Sequence, residues 1–178
     1  MKIQSIRDFA KRAITTQSLV FVDQGGVFNQ RSVEQAETVQ ARIKEALFDP
    51  SLHRMLVLSL SQKLTLQAVM FDDDTPEARA EVDMFVVSSM KCGYIIAVAE
   101  KDFGWGSGES DISPLTETML AMTAGALVRE ALRKNHHYLQ GQLRVLSLYC
   151  GYLFGRFGEK RVSDEINGIE TVMRVGPR

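Results

Sequence analysis

Cysteine is scarce in this chain, and the little there is excludes a covalent scaffold. Cys92 and Cys150 are the only two, they form no Cys-x-x-Cys pair, and their spacing implies no disulfide framework. Both lie beside apolar, strand-like runs, so they are expected to be small buried hydrophobes in a reducing, cytoplasmic setting. Histidine is nearly as rare: His53 stands alone, and His136 and His137 are neighbours in a polar stretch. Adjacent residues seldom aim at one metal ion, so no metal site and no cofactor is predicted. An excess of charge of either sign is missing too. Lys and Arg number 21 against 22 Asp and Glu, a net charge of −1. Gripping nucleic acid through its phosphates takes a basic surplus, so DNA association is a lesser alternative resting on a local patch. No run reaches the roughly 18 apolar residues of a membrane span. Met1 to Thr16 is basic and amphipathic, without the continuous apolar centre of a signal peptide. No membrane association is expected.

What is present is ordinary for a globular protein: 178 residues, 45% hydrophobic and 24% charged. No internal repeat or linker divides the chain. The reading is one α/β domain, with residues 1–31 as an N-terminal helix and strand, 32–158 as the core and 159–178 as an extension. Residues 3–14 have helical spacing, and 18–22 (SLVFV) read as a strand before a turn at Asp23 to Gly26. Ser32 is placed to cap a helix with Gln35 as its capping-box partner, with Val33, Ala36, Val39, Ile43 and Leu47 on one face and an end at Asp49-Pro50. Met55 to Leu60 and Leu64 to Phe71 read as a hairpin around Ser61-Gln62-Lys63. The acidic run Asp72-Asp73-Asp74 suits helix capping and dipole stabilisation better than a cation site. A helix from about Pro76 to Lys91 is broken by Gly93, and Tyr94 to Ala99 (YIIAVA) reads as a buried strand. A glycine-rich loop follows, then a helix opened by Ser113-Pro114 that runs to about Lys134. Residues 135–142 read as loop, Leu143 to Cys150 as a strand, and the remainder as a short helix and a final strand, Thr171 to Val175. An antiparallel hairpin feeding a βαβ-like unit implies a mixed sheet with helices packed on it.

That order resembles the JAB/MPN metalloprotease-like domain, and within it the bacterial RadC-like branch, over roughly residues 32–158. His53 to Leu60 is similar to the family's glutamate-led first strand, and Tyr94 to Asp102 to its strand ending in His-x-His-Pro. Ser110-Asp111-Ile112 with Thr116 resembles the end of the metal loop, and Leu143 to Gly151 the closing strand. In that family two histidines and an aspartate bind zinc, and the glutamate is the general base. Here the glutamate position is His53, the histidine positions are Ala99 and Lys101, the proline position is Asp102, and only Asp111 stands as a ligand type. The resemblance therefore implies a pseudoenzyme without metal chemistry. Weaker resemblances share this feature. Val20 to Phe28 and Ser163 to Gly168 are similar to the first and last motifs of haloacid dehalogenase-like phosphatases, each with glycine for the second aspartate. Residues 85–146 resemble half of a short-chain dehydrogenase, with Ser113 and Glu117 where Tyr and Lys belong.

The candidate binding residues gather between the predicted strand and the helix after it: Glu100, Lys101, Asp102, Gly104, Trp105, Gly106, Ser107, Gly108 and Asp111. A glycine loop entering a helix can cradle phosphate, although the Lys-Ser/Thr of a P-loop is missing. Trp105, the single tryptophan, serves either as a partner anchor or as a pin for the loop. Glu100 to Asp102 read as a solvated charge cluster, and Met84, Met90, Met119 and Met122 as core fillers. No catalytic residue is assigned. The functional expectation is protein binding or self-association into an oligomer. Nucleotide or phosphate binding at residues 104–108 is the alternative.

Overall fold

A computed structural model describes residues 29–57, 75–106, 108–134 and 138–174, together with residues 3, 5, 6 and 8. For residues 78–79, 138–140 and 167–174 it describes the backbone alone. Every element in that range is a helix: α1 (Gln30–Leu47), α2 (Pro50–Leu56), α3 (Pro76–Phe103), α4 (Pro114–Arg133), α5 (Tyr138–Phe157) and α6 (Glu159–Arg174). The described residues contain no sheet, so the α/β reading, and with it the JAB/MPN-like layout, is overturned. The predicted strand at 94–99 is the second half of α3, the one at 143–150 lies within α5, and residues 55–57 and 171–174 are helical. Residues 138–142, predicted as loop, form the first turn of α5. The strand at 18–22, the second hairpin strand, the acidic run 72–74 and His136-His137 lie outside the described residues.

Helix ends follow the local chemistry. The α1 cap is Asn29 and not Ser32: its Oδ1 accepts from the Ser32 backbone N–H at 2.8 Å and from the Ser32 hydroxyl at 3.1 Å. The Asp49-Pro50 pair ends α1 and at once starts α2, where Asp49 Oδ1 accepts from the N–H groups of Ser51 and Leu52. Ser113 caps α4 as expected, taking the Thr116 N–H at 3.1 Å ahead of Pro114 at the first helical position.

The core is built around α3, which packs against α1, α2, α4 and, most extensively, α5. Gly93 does not break the helix. A Cβ there would overlap the Leu148 carbonyl of α5, and one at Gly151 would overlap the Met90 carbonyl of α3. A Cβ at Gly155 would stand 2.8 Å from that of Ala97. Contacts advance together along both helices, from Phe85 under the Arg144 guanidinium through Met90 against Gly151 and Ala97 against Gly155 to Glu100 with Arg156. So α3 and α5 run parallel at near backbone contact, and α4 returns the chain between them. Met90, Ile96, Leu148, Tyr149, Tyr152 and Leu153 are fully buried around this seam. Among the described residues one helix, Ala80–Phe103, is by length and composition apolar enough to cross a membrane, with a mean hydropathy of 1.5 in its most apolar stretch. Two-thirds of that stretch is buried inside the fold, as expected of a core helix. Ser88, Ser89 and Lys91 interrupt it, so no unbroken run of 18 apolar residues occurs there.

Candidate functional site

Because α3 and α5 are parallel, both end at the same side of the molecule. Each stops at a left-handed glycine, Gly104 (φ 67°) and Gly158 (φ 82°). The α3 end is a Schellman cap: Gly104 N–H donates to the Lys101 carbonyl at 3.3 Å and Trp105 N–H to the Glu100 carbonyl at 2.9 Å. Between the two ends lies an open cleft of about 740 Å³, walled by Ala97, Glu100, Gly155 and Arg156 and rimmed by Lys101, Gly104, Gly106, Gly108, Glu109 and Phe157.

At its base is a closed polar network. Tyr152 Oη donates to Glu100 Oε2 at 2.6 Å, and Arg156 Nη1 reaches Glu100 Oε1 at 3.1 Å and Tyr152 Oη at 2.6 Å. Arg156 Nη2 donates to the carbonyls of Gly108 and Asp111, the latter at 2.9 Å. Burial, reinforced by donation to the Glu100 carboxylate, pushes the Tyr152 phenol above its usual value. The residue therefore stays a neutral donor. Arg156 fastens the loop to α5 while neutralising the buried Glu100, and Lys101 and Arg156 both lie in last helical turns, where the dipole favours cations.

The residues singled out from sequence are thus only partly brought together. Glu100, Lys101, Gly104, Gly106 and Gly108 line the cleft. Asp102 faces the other way, paired with Arg42 of α1 at 2.8 Å. Trp105 is a pin: its indole N–H donates to Gln35 Oε1 at 2.8 Å, and its ring stacks on Phe103 at 5.3 Å. Asp111 contributes its carbonyl, and Ser107 lies outside the described residues. Ala99, Lys101, Asp111 and His53 do not converge. Ala99 and Lys101 are about 200° apart around a helix, one fully buried and the other exposed. His53 belongs to α2. Among the described residues no group of three or more His, Cys, Asp or Glu could hold a metal ion. Nor does the glycine loop leave a strand. It follows the carbonyl-bearing, negative end of α3, the wrong polarity for a phosphate cradle. Tyr152 and Arg156 were not singled out from the sequence. Their four-residue spacing is a signal only once the segment is known to be helical.

A second concavity, of about 480 Å³, lies at the corner between α1 and α2. Its walls include Leu47, Phe48, Pro50 and Val57, with His53 and Arg54 alongside and Lys91 of α3 at the floor. Lys91 is 3% exposed, and its Nζ donates to the carbonyls of Leu47 at 3.0 Å and Asp49 at 3.1 Å. It thereby caps the end of α1. Desolvation lowers its pKa from the usual lysine value, and the nearby Asp49 carboxylate partly restores it. Phe48, between the two helices, is 87% exposed. Leu47, which precedes it and lines the same cavity, is also exposed. The signals for this corner were a lone lysine in the apolar run of α3 and a phenylalanine directly before Asp49-Pro50. No family model, curated protein or solved structure matches this chain.

Proposed function

We propose that this chain is a helical protein-binding module that docks a partner at the α1–α2 corner and carries out no chemistry at the Glu100–Arg156 cleft. The observation that carries the reading is Phe48, 87% exposed beside a groove with apolar walls. A large aromatic held in water beside an apolar concavity has the make-up of an interface anchor. The cleft is less suited to binding or catalysis, because Glu100, Tyr152 and Arg156 are committed to one another and to backbone carbonyls. An anionic ligand there would also face the negative ends of two helices. Two buried free thiols fit a reducing compartment such as the cytoplasm.

A photoreactive phenylalanine analogue at position 48 tests the reading in cells. The expected result is a discrete crosslinked species, with little from the same analogue at Glu37, which is exposed on α1. Equal labelling at both positions, or none at position 48, would sink it. The mass of the adduct distinguishes a partner from a second copy of the chain.

A further inference from the structure

We propose that the α1–α2 groove recognises a carboxylate set among apolar residues, an Asp or Glu flanked by Leu, Ile or Phe on a partner protein, with the Lys91 ammonium at the floor as its receptor. This rests on the docking role proposed for the corner and adds the chemistry of what docks. An ammonium has three N–H donors. Two of those on Lys91 serve the Leu47 and Asp49 carbonyls, and the third has no acceptor among the described residues. A lysine 3% exposed that nevertheless lines a cavity presents a desolvated donor to whatever enters. There a charge-assisted hydrogen bond is stronger than at the open surface.

The surrounding charge favours the same occupant. Arg54 flanks the groove and has no ion-pair partner among the described residues. The single acid in the lining, Asp49, is engaged as the α2 cap through the N–H groups of Ser51 and Leu52. The groove is therefore basic at floor and rim and apolar along Leu47, Phe48 and Val57. A purely apolar segment would leave the third Lys91 donor buried without a partner, a penalty that selects against it.

Peptide display against the purified full chain provides the test, with synthetic peptides from the selected pool as probes. The expected pool carries an acidic residue next to bulky apolar ones, and its binding weakens about tenfold, or 1.4 kcal/mol, when that Glu becomes Gln. Lys91→Met keeps the apolar stem and should lose binding to a similar extent. Should that variant fail to fold for want of the α1 cap, the exposed Arg54→Gln takes its place, with a several-fold loss and a shallower salt dependence. Peptides that lose binding with Phe48→Ala but carry no acidic position overturn the carboxylate inference and leave the docking reading standing. A pool insensitive to Phe48→Ala overturns both. A concentration-dependent dimer abolished by Phe48→Ala replaces the partner segment with a second copy and overturns the inference as well.

Discussion

Three buried side chains hold a proton that the unfolded chain would give up more readily. Burial pushes the Cys92 thiol from 9.0 up to about 11, with the Glu130 carboxylate adding to the effect. Cys150, fully enclosed, shifts the same way, as does the Tyr152 phenol. In each case the folded pKa lies above the unfolded one, so between the two values the folded state binds more protons. Stability is then fully present below the unfolded value and is lost as pH rises towards the folded one. The window opens near pH 9 for the thiols, and Cys92 alone loses on the order of 2–3 kcal/mol by about pH 11. Melting temperature followed across that window under reductant should fall, and Cys92→Ala with Cys150→Ala should flatten the fall. An unchanged slope in the double variant would show that the thiols are not the protons released. That Cys92 and Cys150 are small buried groups was legible in the sequence, because a pair without metal-ligand spacing in apolar runs has few other uses. Their placement on helices was not, and neither was the Glu100–Tyr152–Arg156 network. It depends on Tyr152 and Arg156, from the stretch after Cys150 read as a short helix and a final strand, which forms one helix with the run 143–150 read as a strand.

At the level of elements, boundaries marked by a cap beside proline were legible in the sequence, and helices buried on nearly every side were not. Ser113-Pro114 and Asp49-Pro50 mark real boundaries because cap side chains and proline act locally. The run 94–99 is apolar throughout, and 143–150 is interrupted only by Arg144 and Ser147, both buried. A helix buried on nearly every side shows no clear 3.6-residue period to separate it from a buried strand. Gly93, taken as a breaker, is instead where α5 comes closest. The signal was the four-residue spacing of small residues in both segments, Gly93 with Ala97 and Gly151 with Gly155. Since an added Cβ at Gly93 or Gly151 would meet partner backbone and not a movable side chain, neither site can relax by a rotamer change. Gly93→Ala and Gly151→Ala should each cost about 3 kcal/mol, lowering Tm by roughly 6–12 °C for a domain of this size. Gly125→Ala on α4 is the control, because its Cβ would find only the flexible Arg129 side chain at 3.5 Å. It should gain about 0.5–1 kcal/mol, the usual effect of replacing a helical glycine. Calorimetry on the three variants is sufficient. Equal, small effects at all three would mean that α3 and α5 do not meet at these glycines.

For the molecule as a whole, α3 acts as a spine that separates two sites. Lys91 and Glu100 stand about 14 Å apart along it and about half a turn around it, so the groove and the cleft open in different directions from one helix. Rigidity should be greatest where α3 is covered by α1, α4 and α5 together, and least in α2 and α6. α2 has two turns, and α6 rests chiefly on α5, with Glu165 reaching back to the Ile6 N–H at 3.4 Å. Native-state hydrogen exchange should therefore place the slowest amides in residues 86–99 and 145–153, opening only with global unfolding, and faster ones in α2 and α6. Exchange at 94–99 as fast as in the loop 104–111 would refute a continuous α3, and with it the spine. Arg156→Lys tests the separation of the two sites. A lysine provides a point charge in place of the planar fork and cannot serve Glu100, Gly108 and Asp111 together. Exchange should then quicken in residues 104–112 and stay unchanged at the α1–α2 corner. Partner capture through Phe48 should survive, because no hydrogen bond of the clamp reaches α1 or α2. Loss of capture in Arg156→Lys would mean that the spine transmits the state of one end to the other, and that cleft and groove form one site.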